Sequence, residues 1–222
     1  MNKIDLEKLK DLICFTKESL GTLSYKDDVA LSQRIFKWIK NGQIIKLKKG
    51  LYVTKDQYEL NKDNLEFKEY ISSVMRSPSY ISMEYVLRKY MIIKDADSAV
   101  TCITKDLGRI YVNKISAYKY KSITNNLYVG FEKKSYLNNN YYIASKSKAL
   151  FDYLFFKMSL LPDDLSTSNV ASLLQLNMSS FTTLDLNELS KFANISKNRK
   201  MQKIIQNIIN NFSIKKQIKK IF

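Results

Sequence analysis

Seven long polar side chains and one hydroxyl cluster between residues 32 and 49: Ser32, Gln33, Arg34, Lys37, Lys40, Lys46, Lys48 and Lys49. Plotted at about 100° per residue, the first part of this run is a two-sided helix. Leu31, Ile35, Trp38 and Ile39 share one sector; Gln33, Lys37 and Lys40 share the opposite one, with Arg34 and Asn41 at its edge. Glutamine pairs bidentately with adenine and arginine with guanine, whereas lysines meet phosphates and add affinity without sequence information. The chemistry on offer is recognition of duplex nucleic acid. Covalent chemistry is poorly provided for. The chain has no histidine, which removes Ser-His-Asp and Cys-His arrangements and the commonest general base. Cys14 and Cys102 stand alone, with no Cys-x-x-Cys pair, so neither zinc nor a disulfide framework is expected, and no cofactor is implied.

The elements around this cluster are legible from periodicity and from glycine. A first helix carries Leu6, Leu9 and Ile13 and ends near Cys14. Thr16 is the expected N-cap of a short second helix, broken by Gly21. A third helix starts between Ser24 and Asp28 and runs to Asn41, with Gly42 as its left-handed stop. Strands Ile44–Leu47 and Leu51–Val53 follow, joined by Lys48-Lys49-Gly50, where glycine suits a tight hairpin. Three helices and a basic hairpin in residues 1–54 have the pattern of a winged helix-turn-helix: the helix enters the major groove and the hairpin touches flanking backbone.

Residues 55–65 are polar and are expected to be a linker. Residues 66–161 have an α+β pattern. Helix Glu66–Arg76 is ended by Ser77-Pro78, and helix Met83–Tyr90 is capped by Ser82. Short antiparallel strands follow between Ala99 and Ala144, including Leu127–Glu132, and then a buried helix, Ser145–Met158. Residues 162–222 are expected to be wholly helical, with Met201, Ile204, Ile205, Ile208, Ile209 and Phe212 forming one apolar stripe. The fold class is therefore α+β: an N-terminal winged helix-turn-helix, a mixed α/β domain and a helical C-terminal region.

Other chemically suggestive residues have plainer readings. Asp95, Asp97 and Asp106 offer a carboxylate set for a metal, as in a nuclease docking through a winged helix, yet aspartate beside turns and strand ends is ordinarily a cap or turn former. Lys148 and Asp152, four apart, read as a surface ion pair. Tyr111, Tyr118, Tyr120, Tyr128, Tyr141 and Tyr142, interleaved with lysine, offer a single-strand stacking platform or, more simply, core packing. The tail Ile214–Phe222 places Ile214, Ile218 and Ile221 on one face and four lysines on the rest. A third alternative for the N-terminal unit is a protein-interaction module.

Net charge is +16, from 37 basic and 21 acidic residues, and points to polyanionic partners. It is spread: 11 basic and 6 acidic side chains in residues 1–54, 17 and 11 in 55–161, and 9 and 4 in 162–222. Pattern, not charge, therefore selects the binding region. No apolar run approaches the roughly 20 residues of a membrane span, and the opening Met1-Asn-Lys-Ile-Asp-Leu-Glu7 lacks a signal-peptide core, so a reduced, cytoplasmic protein is expected.

The run Asn41-Gly-Gln-Ile-Ile-Lys-Leu-Lys-Lys-Gly-Leu-Tyr-Val53 resembles the wing of the AbiEi family of type IV antitoxins. Ser77-Pro-Ser-Tyr-Ile-Ser82 resembles a second motif of that family, and Lys146-Ser-Lys-Ala-Leu-Phe-Asp152 a third, in the same order. Lys46 stands where that family usually has arginine, and Ser147 where it has an acid. The resemblance implies an antitoxin and transcriptional repressor that binds repeats in its own promoter. It also implies a functional partner, a nucleotidyltransferase-like toxin that is counteracted without a stable complex, and a role in phage defence by abortive infection.

Overall fold

The computed structural model describes residues 6–24, 28–94 and 97–221, with side chains as far as Phe212 apart from those of Lys8, Thr22, Leu23 and Ser24. The fold is α+β with two sheets. A 3-10 turn at Leu6–Leu9 leads into β1 (Phe15–Thr16), α1 (Lys17–Ser24) and α2 (Asp28–Lys40), then the hairpin β2 (Ile44–Lys48) and β3 (Leu51–Thr54). The expected first helix is thus reduced to that turn. Phe15 and Thr16 pair with Tyr52 and Leu51, so strand pairing claims the backbone there. Thr16 does cap α1: its hydroxyl accepts from Ser19 N at 3.0 Å, while Ser19 Oγ accepts from Thr16 N at 3.1 Å. Gly21, expected to break the helix, lies inside it. A mid-helix glycine costs only about 1 kcal/mol, which packing against neighbours overcomes.

The hairpin is the seam of the molecule. In the antiparallel order β1-β3-β2, Phe15, Ile44 and Tyr52 join Leu20, Leu31, Ile35 and Trp38 in a small core. The opposite face, Ile45, Leu47, Leu51 and Val53, enters the main core with Phe67 and Met75. Alternation thus sends one residue to each core in turn. Each buried aliphatic side chain contributes about 1.5–3 kcal/mol, so the N-terminal unit is welded on rather than tethered.

The expected linker 55–65 is instead helical. Thr54 caps α3 (Lys55–Asn61), accepting from Gln57 N at 3.2 Å, and Asn64 caps α4 (Leu65–Met75) through Glu66 N and Phe67 N. Its polar residues mislead because several are caps and buried partners: Tyr136 OH donates to Asn61 Oδ1 at 2.8 Å.

Then come β4 (Ser79–Ile81), α5 (Glu84–Lys89), β5 (Val100–Thr104), β6 (Arg109–Val112), β7 (Ala117–Ser122), β8 (Phe131–Tyr136) and β9 (Asn139–Ala144). They form one six-stranded sheet in the order β6-β7-β5-β4-β9-β8. The expected antiparallel arrangement is corrected to a mixed one, since β5–β7 and β4–β9 are parallel. Alternation identifies strands but carries no information on their direction. Leu127, expected in a strand, ends a 3-10 turn at Asn125–Leu127.

Ser145 caps α6 (Lys146–Lys157), accepting from Lys148 N. The C-terminal region holds α7 (Val170–Leu173), α8 (Thr183–Ser196) and α9 (Arg199–Ile221), so it is not wholly helical. The stretches between contribute buried Leu161, Leu165, Leu176 and Phe181 without helical pairing. On α9, Met201, Ile204, Ile205 and Ile208 are buried as the stripe predicts; the side chains of the tail lie outside the described residues. Gly130 has φ +79°, and a Cβ there would meet the Phe192 ring at 2.4 Å, so only glycine fits. Among the described residues no helix is long and apolar enough to cross a membrane.

Candidate nucleic-acid interface

Helix α2 is held by Leu31, Ile35 and Trp38, all at most 4% exposed. Its opposite face leaves Ser32, Gln33, Lys37 and Lys40 in solvent. Ser32 Oγ donates back to Asp28 O at 2.8 Å, so that hydroxyl is partly committed. Two further residues lie in the middle of this face: Phe36, 68% exposed, and Val29, 63% exposed. Sequence reasoning missed both, although their angular position between Ser32 and Gln33 was available. Ile39, expected on the apolar back, is at its margin and 36% exposed.

Arg34 is different. Its guanidinium lies 5.4 Å from the Trp38 ring centroid, and its Nε is buried without a hydrogen-bond partner among the described residues. That half-buried cation stacks on the helix's own anchor, an attraction of order 0.5–2 kcal/mol.

Gly42, at φ +66°, ends α2, and Gly50, at φ +80°, closes the hairpin. Lys46 is exposed on the hairpin face that carries Ile44 and Tyr52, toward α2, and Lys49 is exposed at the tip. Lys48 is not available in the same way: its half-buried ammonium donates to Met75 O, at the end of α4, at 2.6 Å. The last carbonyls of a helix attract a cation, so this lysine caps α4. Asn113 Nδ2 donates to Leu47 O at 3.1 Å beside it. Of the eight candidates, six share the accessible surface of α2 and the hairpin, while Arg34 and Lys48 are engaged internally.

The two later motif runs meet at the centre of the main core. Lys148 and Asp152, expected on the surface, are both 0% exposed, with Nζ 2.7 Å from Oδ1. Lys148 Nζ also donates to Leu127 O at 2.8 Å, while Asp152 Oδ2 accepts from Tyr80 OH at 3.0 Å and Ser82 Oγ at 2.7 Å. Ser82 is therefore a partner of Asp152; Met83, at φ 56°, takes the N-cap position of α5 instead. Burial pulls the Lys148 ammonium down and pushes the Asp152 carboxyl up, and their mutual attraction opposes both shifts. Without solvent access the cluster pins α6 to β4. Glu69, 1% exposed, is a second pin: it accepts from Tyr85 OH at 2.9 Å, Tyr141 OH at 2.8 Å and Lys89 Nζ at 2.6 Å.

The tyrosine-rich strands are largely interior. Tyr118, Tyr120 and Tyr141 are buried, Tyr111 and Tyr128 half-buried, and Tyr142 exposed. Asp97 pairs with Lys119, and Asp106 with Arg76 at 3.6 Å; Asp95 lies outside the described residues. Among the described residues no group of three or more histidine, cysteine, aspartate or glutamate side chains is placed to hold a metal. Both cysteines are free, and burial pushes the thiols of Cys14 and Cys102 up to about 11 and about 12.

Compared with family models the chain matches none, and comparison with curated proteins likewise gives no match.

Proposed function

We propose that this protein is a cytoplasmic, duplex-DNA-binding regulator of winged-helix type, acting as the antitoxin and autorepressor of a type IV toxin–antitoxin system. The observation that carries the DNA reading is the exposed face of α2. Ser32, Gln33, Phe36, Lys37 and Lys40 project from a helix whose other side is locked by Leu31, Ile35 and Trp38. Lys46 and Lys49 on the hairpin extend the cationic surface. Gln33 reads a base edge, Phe36 meets thymine methyl groups, and the lysines hold phosphates. The wing is short in this reading, because Lys48 belongs to the interface with α4. The antitoxin role, and a nucleotidyltransferase-like toxin as functional partner, rest on the resemblance of the three runs to the AbiEi family.

Fluorescence anisotropy on the protein's own upstream DNA and on random duplex, across a salt series, tests the DNA reading. Gln33→Ala is expected to cost about 1–3 kcal/mol on the cognate site and little on random DNA. Lys37→Ala is expected to weaken both and to lower the salt slope by about one unit. Equal affinity for the two DNAs overturns the repressor, and an unchanged slope in Lys37→Ala overturns the docking. Co-expression with a nucleotidyltransferase-like toxin encoded beside this chain, which this reading requires, tests the antitoxin role, restored growth being the expected result.

A further inference from the structure

We propose that the cavity between β7, α6 and α7 is a nucleotide-binding site, separate from the α2 surface and independent of the DNA reading. The cavity has a volume of about 700 Å³, and four lysines line it: Lys94, Lys119, Lys121 and Lys157. That size suits a small-molecule ligand. Two carboxylates, Glu84 and Asp97, also line it, and Asp97 is taken up by Lys119. Among the described residues Lys94, Lys121 and Lys157 have no acidic partner within 4.0 Å.

The strand pattern explains the concentration of charge. Tyr118 and Tyr120 of β7 point into the core, so Lys119 and Lys121 share the other face, two residues apart. There Lys121 faces α6, its Nζ 4.7 Å from the Phe156 ring, and on α6 itself Lys157 Nζ lies 5.7 Å from the Tyr153 ring. Like charges gathered over a low-dielectric wall repel one another and focus a positive potential, which a bound anion relieves. The wall is apolar and aromatic as well as cationic: Ile93, Tyr153, Leu173 and Leu174 line the same space. A simple phosphate would leave that surface unused. A planar base against Tyr153 and the aliphatic side chains, with its phosphates at the lysines, uses both.

Isothermal titration calorimetry on the full chain with ATP, adenosine and inorganic tripolyphosphate tests this. ATP is expected to bind about tenfold or more tighter than either fragment. Lys121→Ala and Lys157→Gln are each expected to weaken ATP about tenfold, with thermal unfolding unchanged for Lys157→Gln, which lies at the end of α6. The double variant Lys37→Ala/Lys40→Ala is expected to bind ATP normally while losing affinity for DNA, and the cavity variants to do the reverse. Absence of heat with millimolar ATP overturns the site. Tripolyphosphate binding as tightly as ATP overturns the nucleotide assignment, and an equal ATP loss in the α2 variant overturns the location.

Discussion

Helices α2 and α6 are nearly the same length, 13 and 12 residues, yet Lys37 and Lys40 of α2 and Lys148 of α6 are used in opposite ways. In α2 the cations Lys37 and Lys40 stand in solvent. In α6, Lys148 lies in the centre of the core with Asp152 one turn away. The difference is one of layers. One side of α2 packs on the small core, whereas α6 is buried over most of its circumference by α8, α5 and the sheet. A cation on a singly covered helix has water available. On a doubly covered helix it needs a carboxylate and carbonyls inside, because an unpaired buried charge costs several kcal/mol.

The sharpest attempt to break this contrast is Asp152→Ala. Stripping Lys148 of its counter-charge is expected to cost about 3–5 kcal/mol in urea unfolding, against about 0.5 kcal/mol or less for Lys37→Ala on α2. The double variant Lys148→Met/Asp152→Leu is expected to recover most of the loss, since apolar residues replace a buried pair well. A cost below about 1 kcal/mol for Asp152→Ala would mean that the buried cluster does not pin α6.

Lys48 stands between the two extremes, and its variant sharpens the comparison. Lys48→Ala is expected to lose about 1.5–3 kcal/mol of stability, the worth of a hydrogen bond from a charged donor, and to leave the DNA salt slope intact. The opposite pattern, a slope reduced by one unit with stability unchanged, would return Lys48 to the DNA surface.

A smaller effect than at Lys48 is expected at Asp185, which Lys146 of α6 meets at 2.8 Å and which accepts from Thr182 N at 2.7 Å. Burial alone would raise this carboxyl, but the hydrogen bonds from Lys146 and Thr182 outweigh it and hold it below its ordinary value. A depressed carboxyl adds stability above the unfolded pKa of about 3.9, and that stability disappears as pH falls through the folded value. Asp185→Asn is therefore expected to cost up to about 1 kcal/mol at pH 7 and nothing once the pH is well below the depressed value of the folded carboxyl. A cost that persists at low pH would show that geometry, not charge, makes this contact.

Much of the exposed α2 surface was legible before any fold was known. The period of Leu31, Ile35 and Trp38 dictates which side of α2 is buried, and Gly42 and Gly50 mark turns whose positive φ few other residues adopt. Phe36 was legible too, by the same angle that placed Gln33, but an aromatic residue is easily credited to a core. Arg34 and Lys48 were not. Each has partners fixed by another element or by a rotamer: the Trp38 ring in one case, the end of α4 in the other.

Local order, then, was written in the chain itself: helix faces, caps such as Thr16 and Ser145, hairpin turns and the alternation of β7 arise from interactions between residues a few positions apart. The tertiary structure alone decided which strands run parallel, that the hairpin is shared by two cores, and that Lys148 and Asp152 meet Tyr80 and Ser82 some 70 residues away in the chain. Periodicity records that a face is apolar or polar. What covers that face, and therefore whether a charge upon it meets water, a partner or a ligand, depends on contacts between segments whose pairing no local pattern encodes.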